Sequence, residues 1–193
     1  LRGLFPIAAW LDHVDMRPMN TLDVWTSTTG GRHYVEHLLI DFGKALGGLA
    51  RVDRVPAAGF GGPILDPRRL FGGLFTLGLW VPAWERRGSP ELRGVGWFEA
   101  EPFDPGAWRP VAPYIPFRAR DPNDDLWGAL RMARLGEAHL RAAVAAGRYS
   151  DPRAARYLVE TLRARQRAVL AWAFARRAPL DAFAVEGGQL CFE

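Results

Sequence analysis

Near the front of the chain, two short polar motifs flank a stretch that reads as strand, turn and strand. Thr21 to Thr28 (TLDVWTST) is β-branched and aromatic, Thr29-Gly30-Gly31 is a turn cluster, and Arg32 to Ile40 (RHYVEHLLI) is a second extended run. An antiparallel return sets Ile40 beside Thr21. Asn20 and Asp41, just outside the strands, then become neighbours at the open end, with Asp15 on the loop leading in. Three oxygen-bearing side chains are therefore expected to converge at one place.

Such a set matches the needs of metal-assisted phosphoryl transfer. A carboxylate and an amide oxygen can hold Mg²⁺ against nucleotide phosphates, while a second carboxylate orients an attacking hydroxyl and takes its proton. The order His13-Val14-Asp15-Met16-Arg17-Pro18-Met19-Asn20, then a hairpin, then Asp41-Phe42-Gly43, resembles the H-x-D-x-x-x-x-N and D-F-G motifs of the protein-kinase-like superfamily. The resemblance covers about forty residues, and its weight lies in the order and hairpin context rather than in D-F-G alone. It implies Asp15 as catalytic base, Asn20 and Asp41 as metal ligands, and Arg17 as the basic residue two after the base. It also implies His13 as the residue holding the loop, Phe42 as a ring packed beneath it, and Gly43 as the close of the nucleotide-side motif. ATP and Mg²⁺ would be co-substrate and metal, and the phosphoryl acceptor stays open.

Departures from the family pattern sharpen the expectation. Val14 stands where many protein kinases carry an arginine that pairs with a phosphorylated activation loop, and the hairpin is long. Both point to an atypical bacterial-style member. Only Leu1 to Asp12 precede the catalytic loop, so the glycine-rich flap and strand lysine of an N-terminal lobe have no place in this stretch. Lys44, the sole lysine, follows D-F-G and comes too late to be that strand residue. The chain is therefore read as the C-terminal, catalytic lobe of a longer protein, with its own N-terminal lobe as a partner and little activity alone. The competing reading from another class is a pseudokinase-type binding or scaffold module that keeps the fold without the chemistry. A third reading is a polar loop beside a hairpin in an ordinary α+β domain.

The expected fold class is α+β and mostly helical, with the hairpin packed on a helical lobe, all of 1–193 forming one unit. Residues 1–12 should form a leading helix, and 13–43 the catalytic loop, hairpin and D-F-G. Residues 44–67 should form a Gly- and Pro-rich lid, and 68–81 a core helix started by Asp66-Pro67. Residues 82–122 read as a proline- and aromatic-rich wrap, 123–178 as a helical end and 179–193 as a tail. In the helical end, Asn123-Asp124-Asp125 should cap a helix from Leu126, and Ser150-Asp151-Pro152 should start a long one reaching about Arg177. The corresponding family helix usually carries an aspartate that anchors the catalytic loop, and 68–81 has none.

Composition excludes several classes. Hydrophobic residues make up 49% and charged residues 24%, as in globular proteins, and no apolar run approaches the ~20 residues that span a bilayer. A cytoplasmic location is the default expectation, and a single cysteine, Cys191, rules out an internal disulfide framework. The pI near 9.8 accompanies a formal charge of only +4, because all basic residues but Lys44 are arginine. Basic and acidic residues are interleaved, so nucleic acid is not the expected partner, and Arg163, Arg165 and Arg167 read as a solvated helix face.

One other catalytic motif competes. His33-Tyr34-Val35-Glu36-His37 matches the inverted zinc-peptidase signature, which needs both histidines on one helical turn. In a strand they stand ~13 Å apart, too far to share a zinc with ~2 Å bonds. The β-branched and aromatic neighbours favour the strand.

Overall fold

The computed structural model describes residues 1–48, 67–80, 91–180 and 183–192. They form an α+β architecture with six α-helices and two small antiparallel hairpins among the described residues. After a 3₁₀ turn, Arg2–Leu4, come α1 (Phe5–Trp10), the strands β1 (Thr21–Ser27) and β2 (His33–Leu39), and α2 (Pro67–Phe75). The chain continues through α3 (Ile115–Arg118), α4 (Pro122–Ala133), α5 (Glu137–Ala146) and α6 (Pro152–Phe174). It ends on β3 (Ala184–Glu186) and β4 (Gln189–Cys191), a hairpin within the expected tail. No helix among the described residues is long and apolar enough to cross a membrane.

The short helix α1 sits between two hydrophobic clusters. Phe5, Ala8 and Ala9 face one, with Val14, Met16, Trp108, Tyr114 and Phe117. Phe5 meets Trp108 and Phe117 edge-on, at 5.6 and 5.4 Å between centroids. Trp10 faces the other cluster, with Phe98, Met132, Leu140, Leu158, Leu162 and Val169. The proline- and aromatic-rich wrap thus contributes core: Phe98, Trp108, Tyr114 and Phe117 are all buried, as its dense rings predict. Residues 82–90 of that wrap lie outside the described residues.

Helix starts follow their caps. Asp121 caps α4 in a reciprocal box with Asp124, so this helix begins at Pro122, four residues before the expected Leu126, because proline is favoured in the first turn. Asp151 caps α6 as expected, accepting from the Arg153 amide at 2.8 Å. The helix ends at Phe174, three residues short of Arg177. Close approach of the leading turn to α4 needs glycine at Gly128, where a Cβ would stand 2.3 Å from the Gly3 carbonyl oxygen.

Three expectations are corrected. The 68–81 core helix is shorter, ending at Phe75, and is not core: Phe71, Leu74 and Phe75 are exposed. Gly72 and Gly73 weaken the helix, and Leu77 and Gly78 then adopt positive φ, +51° and +84°, which no helix continues through. The β1–β2 hairpin does not pack broadly on the helical body. Both faces are open along most of its length, with Leu22, Trp25, Tyr34, Val35 and Leu38 exposed, and only Leu39 at its base reaches a core cluster. Mixed polar and apolar residues on each face explain this, since neither face is a continuous apolar stripe.

The third correction is Arg165, which is no surface residue. It is 5% exposed. From α6 its guanidinium donates to the Ala9 carbonyl at 2.7 Å, the Trp10 carbonyl at 2.9 Å and the Glu99 carbonyl at 2.8 Å. Arg163, by contrast, is exposed and pairs with Glu137. Hydrogen bonds to a charged donor contribute roughly 1.5–3 kcal/mol each and leave buried carbonyls unpaired when removed, so Arg165→Met should cost about 3 kcal/mol or more. Urea denaturation at constant m-value measures it; a change under about 1 kcal/mol contradicts this role.

Candidate functional site

Asp15 is the centre of the site and is 4% exposed. Its loop is fixed on three sides by the core. The His13 amide donates to the Ala8 carbonyl at 2.8 Å, continuing from the end of α1. The Val111 amide donates to the Val14 carbonyl at 2.8 Å, and the Trp108 indole donates to Asp12 Oδ1 at 2.8 Å. The aromatic wrap therefore buttresses the loop directly. Arg165 on α6 holds the end of α1, with Asp12 Oδ1 3.8 Å from its guanidinium.

Two cations meet the Asp15 carboxylate on one oxygen. Arg17 Nη2 donates to Oδ2 at 2.8 Å, and Lys44 Nζ stands 3.6 Å from the same atom. Asn20, 9% exposed, donates from Nδ2 to the Asp15 backbone carbonyl at 2.9 Å, which closes the loop on itself. That bond engages the amide nitrogen.

The hairpin brings Asp41 to the same end. Thr21 pairs with Leu39 through Ser27 with His33, and the Ile40 amide donates to the Asn20 carbonyl at 3.0 Å. Ile40 therefore lies beside Asn20, one residue off the expected partner Thr21. A three-residue loop sets this register: the Gly31 amide donates to the Thr28 carbonyl at 3.0 Å and Gly31 takes φ +74°. Asp41 leaves the strand with φ +58° and accepts from the Gly43 amide at 3.2 Å through Oδ1. Asn20 and Asp41 are thus joined through one ladder step.

His13 is 2% exposed and stacks on Phe42, with centroids 5.0 Å apart and planes 22° apart. This places the D-F-G ring against the loop histidine, though Phe42 keeps half its surface exposed. Neither His13 ring nitrogen has a hydrogen-bond partner among the described residues. Burial pushes the imidazole below its ordinary 6.5, against the pull of the Asp15 and Asp41 charges.

The H-x-x-E-H histidines lie on β2, as the strand reading predicts. His33 shares a hydrogen bond with Ser27 Oγ at 2.8 Å and His37 one with Asp23 Oδ1 at 2.6 Å, each across the ladder. No group of three His, Cys, Asp or Glu side chains able to hold a metal occurs among the described residues. A cavity of about 510 Å³, lined by Ala100, Phe103, Ala164 and Ala168 among others, contains none of the candidate site residues.

Sequence reasoning set Lys44 aside because of its position in the chain, and it did not connect Trp108 or Val111 to the loop. The available signal for Lys44 was its place directly after the hairpin closes. Residues 49–66 of the expected lid lie outside the described residues. Comparison of the chain with family models, with curated proteins and with solved structures yields no match.

The neutral, buried state of His13 makes a pH prediction. The unfolded chain binds a proton at this histidine below pH 6.5 while the folded chain resists it, so its stabilising effect is present above that pH and lost as pH falls through the lowered value. Between about pH 7 and about pH 5, the thermal midpoint of the wild type should fall more than that of His13→Gln. Parallel curves for the two proteins contradict this.

Proposed function

We propose that this chain is the catalytic portion of a kinase-like phosphotransferase acting on ATP with Mg²⁺. One observation carries the reading: a buried carboxylate, Asp15, is clamped by Arg17 on a loop whose last residue, Asn20, is tied by a backbone ladder bond to the strand that delivers Asp41. The backbone carrying the proposed base and both proposed ligands thereby belongs to one short circuit. This geometry supports positioned phosphoryl transfer, in which the protein contributes orientation and charge rather than covalent chemistry.

In this reading Asn20, through its amide oxygen, and Asp41 hold the metal, which when bound neutralises phosphate charge. Asp15 orients the acceptor hydroxyl and takes its proton as the new O–P bond forms and the bond to the β-phosphate oxygen breaks, with ADP leaving. Arg17 fixes the carboxylate, and His13 with Phe42 fixes the loop against the D-F-G segment. The acceptor stays open in this reading.

A second reading rests on a different feature of the same carboxylate. Both cations meet Asp15 on one oxygen, so the protein already engages the carboxylate that would have to take up an acceptor hydroxyl, and this favours a nucleotide-binding scaffold without turnover. The two readings separate by experiment. In the full-length protein, Asp15→Ala should cut transfer of labelled γ-phosphate by a factor on the order of 10²–10⁴ and spare MgATP binding. Asp41→Ala should weaken MgATP binding by roughly tenfold or more in calorimetry. Wild-type turnover in either variant refutes the phosphotransferase assignment. MgATP binding without detectable transfer in the wild type selects the scaffold.

A further inference from the structure

We infer that Lys44 is the cation that receives the terminal phosphate of the nucleotide, a role that rests on the phosphotransferase reading above. Its ammonium stands 3.6 Å from Asp15 Oδ2, beyond hydrogen-bond length, while Arg17 already holds that oxygen at 2.8 Å. Lys44 Nζ makes no hydrogen bond to the protein among the described residues. The carboxylate is thus fixed by the arginine, and the three ammonium protons are left for a ligand.

Accessibility agrees. Asp15 is buried, whereas the Lys44 side chain is 35% exposed, so the lysine is the partner that solvent and ligands reach. Two cations meet a single oxygen of Asp15, Arg17 at 2.8 Å and Lys44 at 3.6 Å, and the arginine is the closer partner.

The backbone beneath Lys44 is held on both sides. The Ala45 amide donates to the Phe42 carbonyl at 3.0 Å, the Gly48 amide to the Ala45 carbonyl at 2.9 Å, and the Leu46 amide to the Leu11 carbonyl at 2.8 Å. Gly47, at φ +70°, lies so close to the 96–97 backbone that a Cβ there would stand 2.6 Å from Trp97. The turn is therefore tied to the end of α1 and to the wrap, and the half-buried lysine side chain projects from a fixed backbone.

Distance links this charge to the reaction centre. An acceptor hydroxyl within hydrogen-bond reach of Asp15, ~3 Å, lies ~3–3.5 Å from the phosphorus it attacks. A flexible ammonium beside that same carboxylate reaches the phosphoryl oxygens by rotating its stem. Lysine suits the task because it is a compact point charge with rotatable donors, unlike the planar arginine fork. In a chain with 25 basic residues, this is the only position where an ammonium stands in place of a guanidinium.

The test compares MgATP with MgADP on the full-length protein. By calorimetry, Lys44→Met should lose about tenfold in MgATP affinity and change MgADP by less than about twofold, with Lys44→Arg recovering part of the loss. Equal losses for the two nucleotides, or none, overturn the inference. A second measurement needs no variant: acetylation of Lys44 by an amine-reactive reagent can be followed at its own peptide by mass spectrometry in the wild type. MgATP should slow that acetylation several-fold more than MgADP does, and equal protection overturns the inference. A wild type that binds neither nucleotide removes the phosphotransferase reading and this role with it. A wild type that binds both, with Lys44→Met indifferent, removes the lysine's role alone.

Discussion

The guanidinium of Arg165 is the interaction on which the rest of the molecule depends. It joins the longest helix, α6, to the end of the short helix α1 and to the wrap at Glu99, with three charge-assisted hydrogen bonds in a site closed to water. Its plane also lies 3.6 Å from the centroid of Phe103 and 4.8 Å from that of Phe98, so the charge is covered by aromatic faces. Trp10 reciprocates by donating its indole to the Leu162 carbonyl at 2.7 Å. A six-residue helix has almost no stability of its own, and α1 exists because these contacts hold its C-terminal end.

The loop after α1 inherits its position from the helix. Asp12 takes a positive φ, +50°, directly after the helix and receives the Trp108 indole, which turns the chain toward His13 and Asp15. The burial of Asp15 is therefore a consequence of helix-end anchoring, and a buried carboxylate has to be paired. Arg17 supplies that pairing from within the loop and Lys44 from beyond the hairpin. A second buried ion pair works in the same way further along. Arg120 donates to Asp125 at 3.0 Å and lies 3.4 Å from the Phe5 ring centroid, and burial outweighs the arginine so that the Asp125 carboxyl titrates above its ordinary range. Polar groups thus bridge the two aromatic and aliphatic clusters on either side of α1.

The hairpin shows a different balance. Its backbone register is complete and its turn has the glycine the geometry needs, yet its side chains stay exposed on both faces. Cross-strand pairs such as Asp23 with His37 and the stacked Trp25 with His33 are its own internal contacts. A sheet of two strands with open faces is marginal alone, so its order is tied to the base, where Leu39 meets the core and Ile40 meets Asn20. That base is also where the candidate site lies.

Much of this was legible from the chain alone. The strands, the turn at Thr29-Gly30-Gly31, the Asp151 cap and the proximity of Asn20 to Asp41 all arise from neighbours a few residues apart or from one ladder, and such short-range physics is written into residue type and order. Other features depended on partners far away in sequence. Arg165 looks like any arginine on a charged helix, and only the arrival of α1, 155 residues distant, makes it a buried anchor. The segment from Leu70 to Val81 reads as core by its apolar content, yet Phe71, Leu74, Phe75, Leu77 and Leu79 are exposed, with no described element over them. Lys44 appears spent once D-F-G has passed, until the fold returns it to Asp15. Local preference thus determined the elements and their ends, while the tertiary structure decided which charges are buried and what they touch, because desolvation and ion pairing are set by neighbours that sequence order does not name.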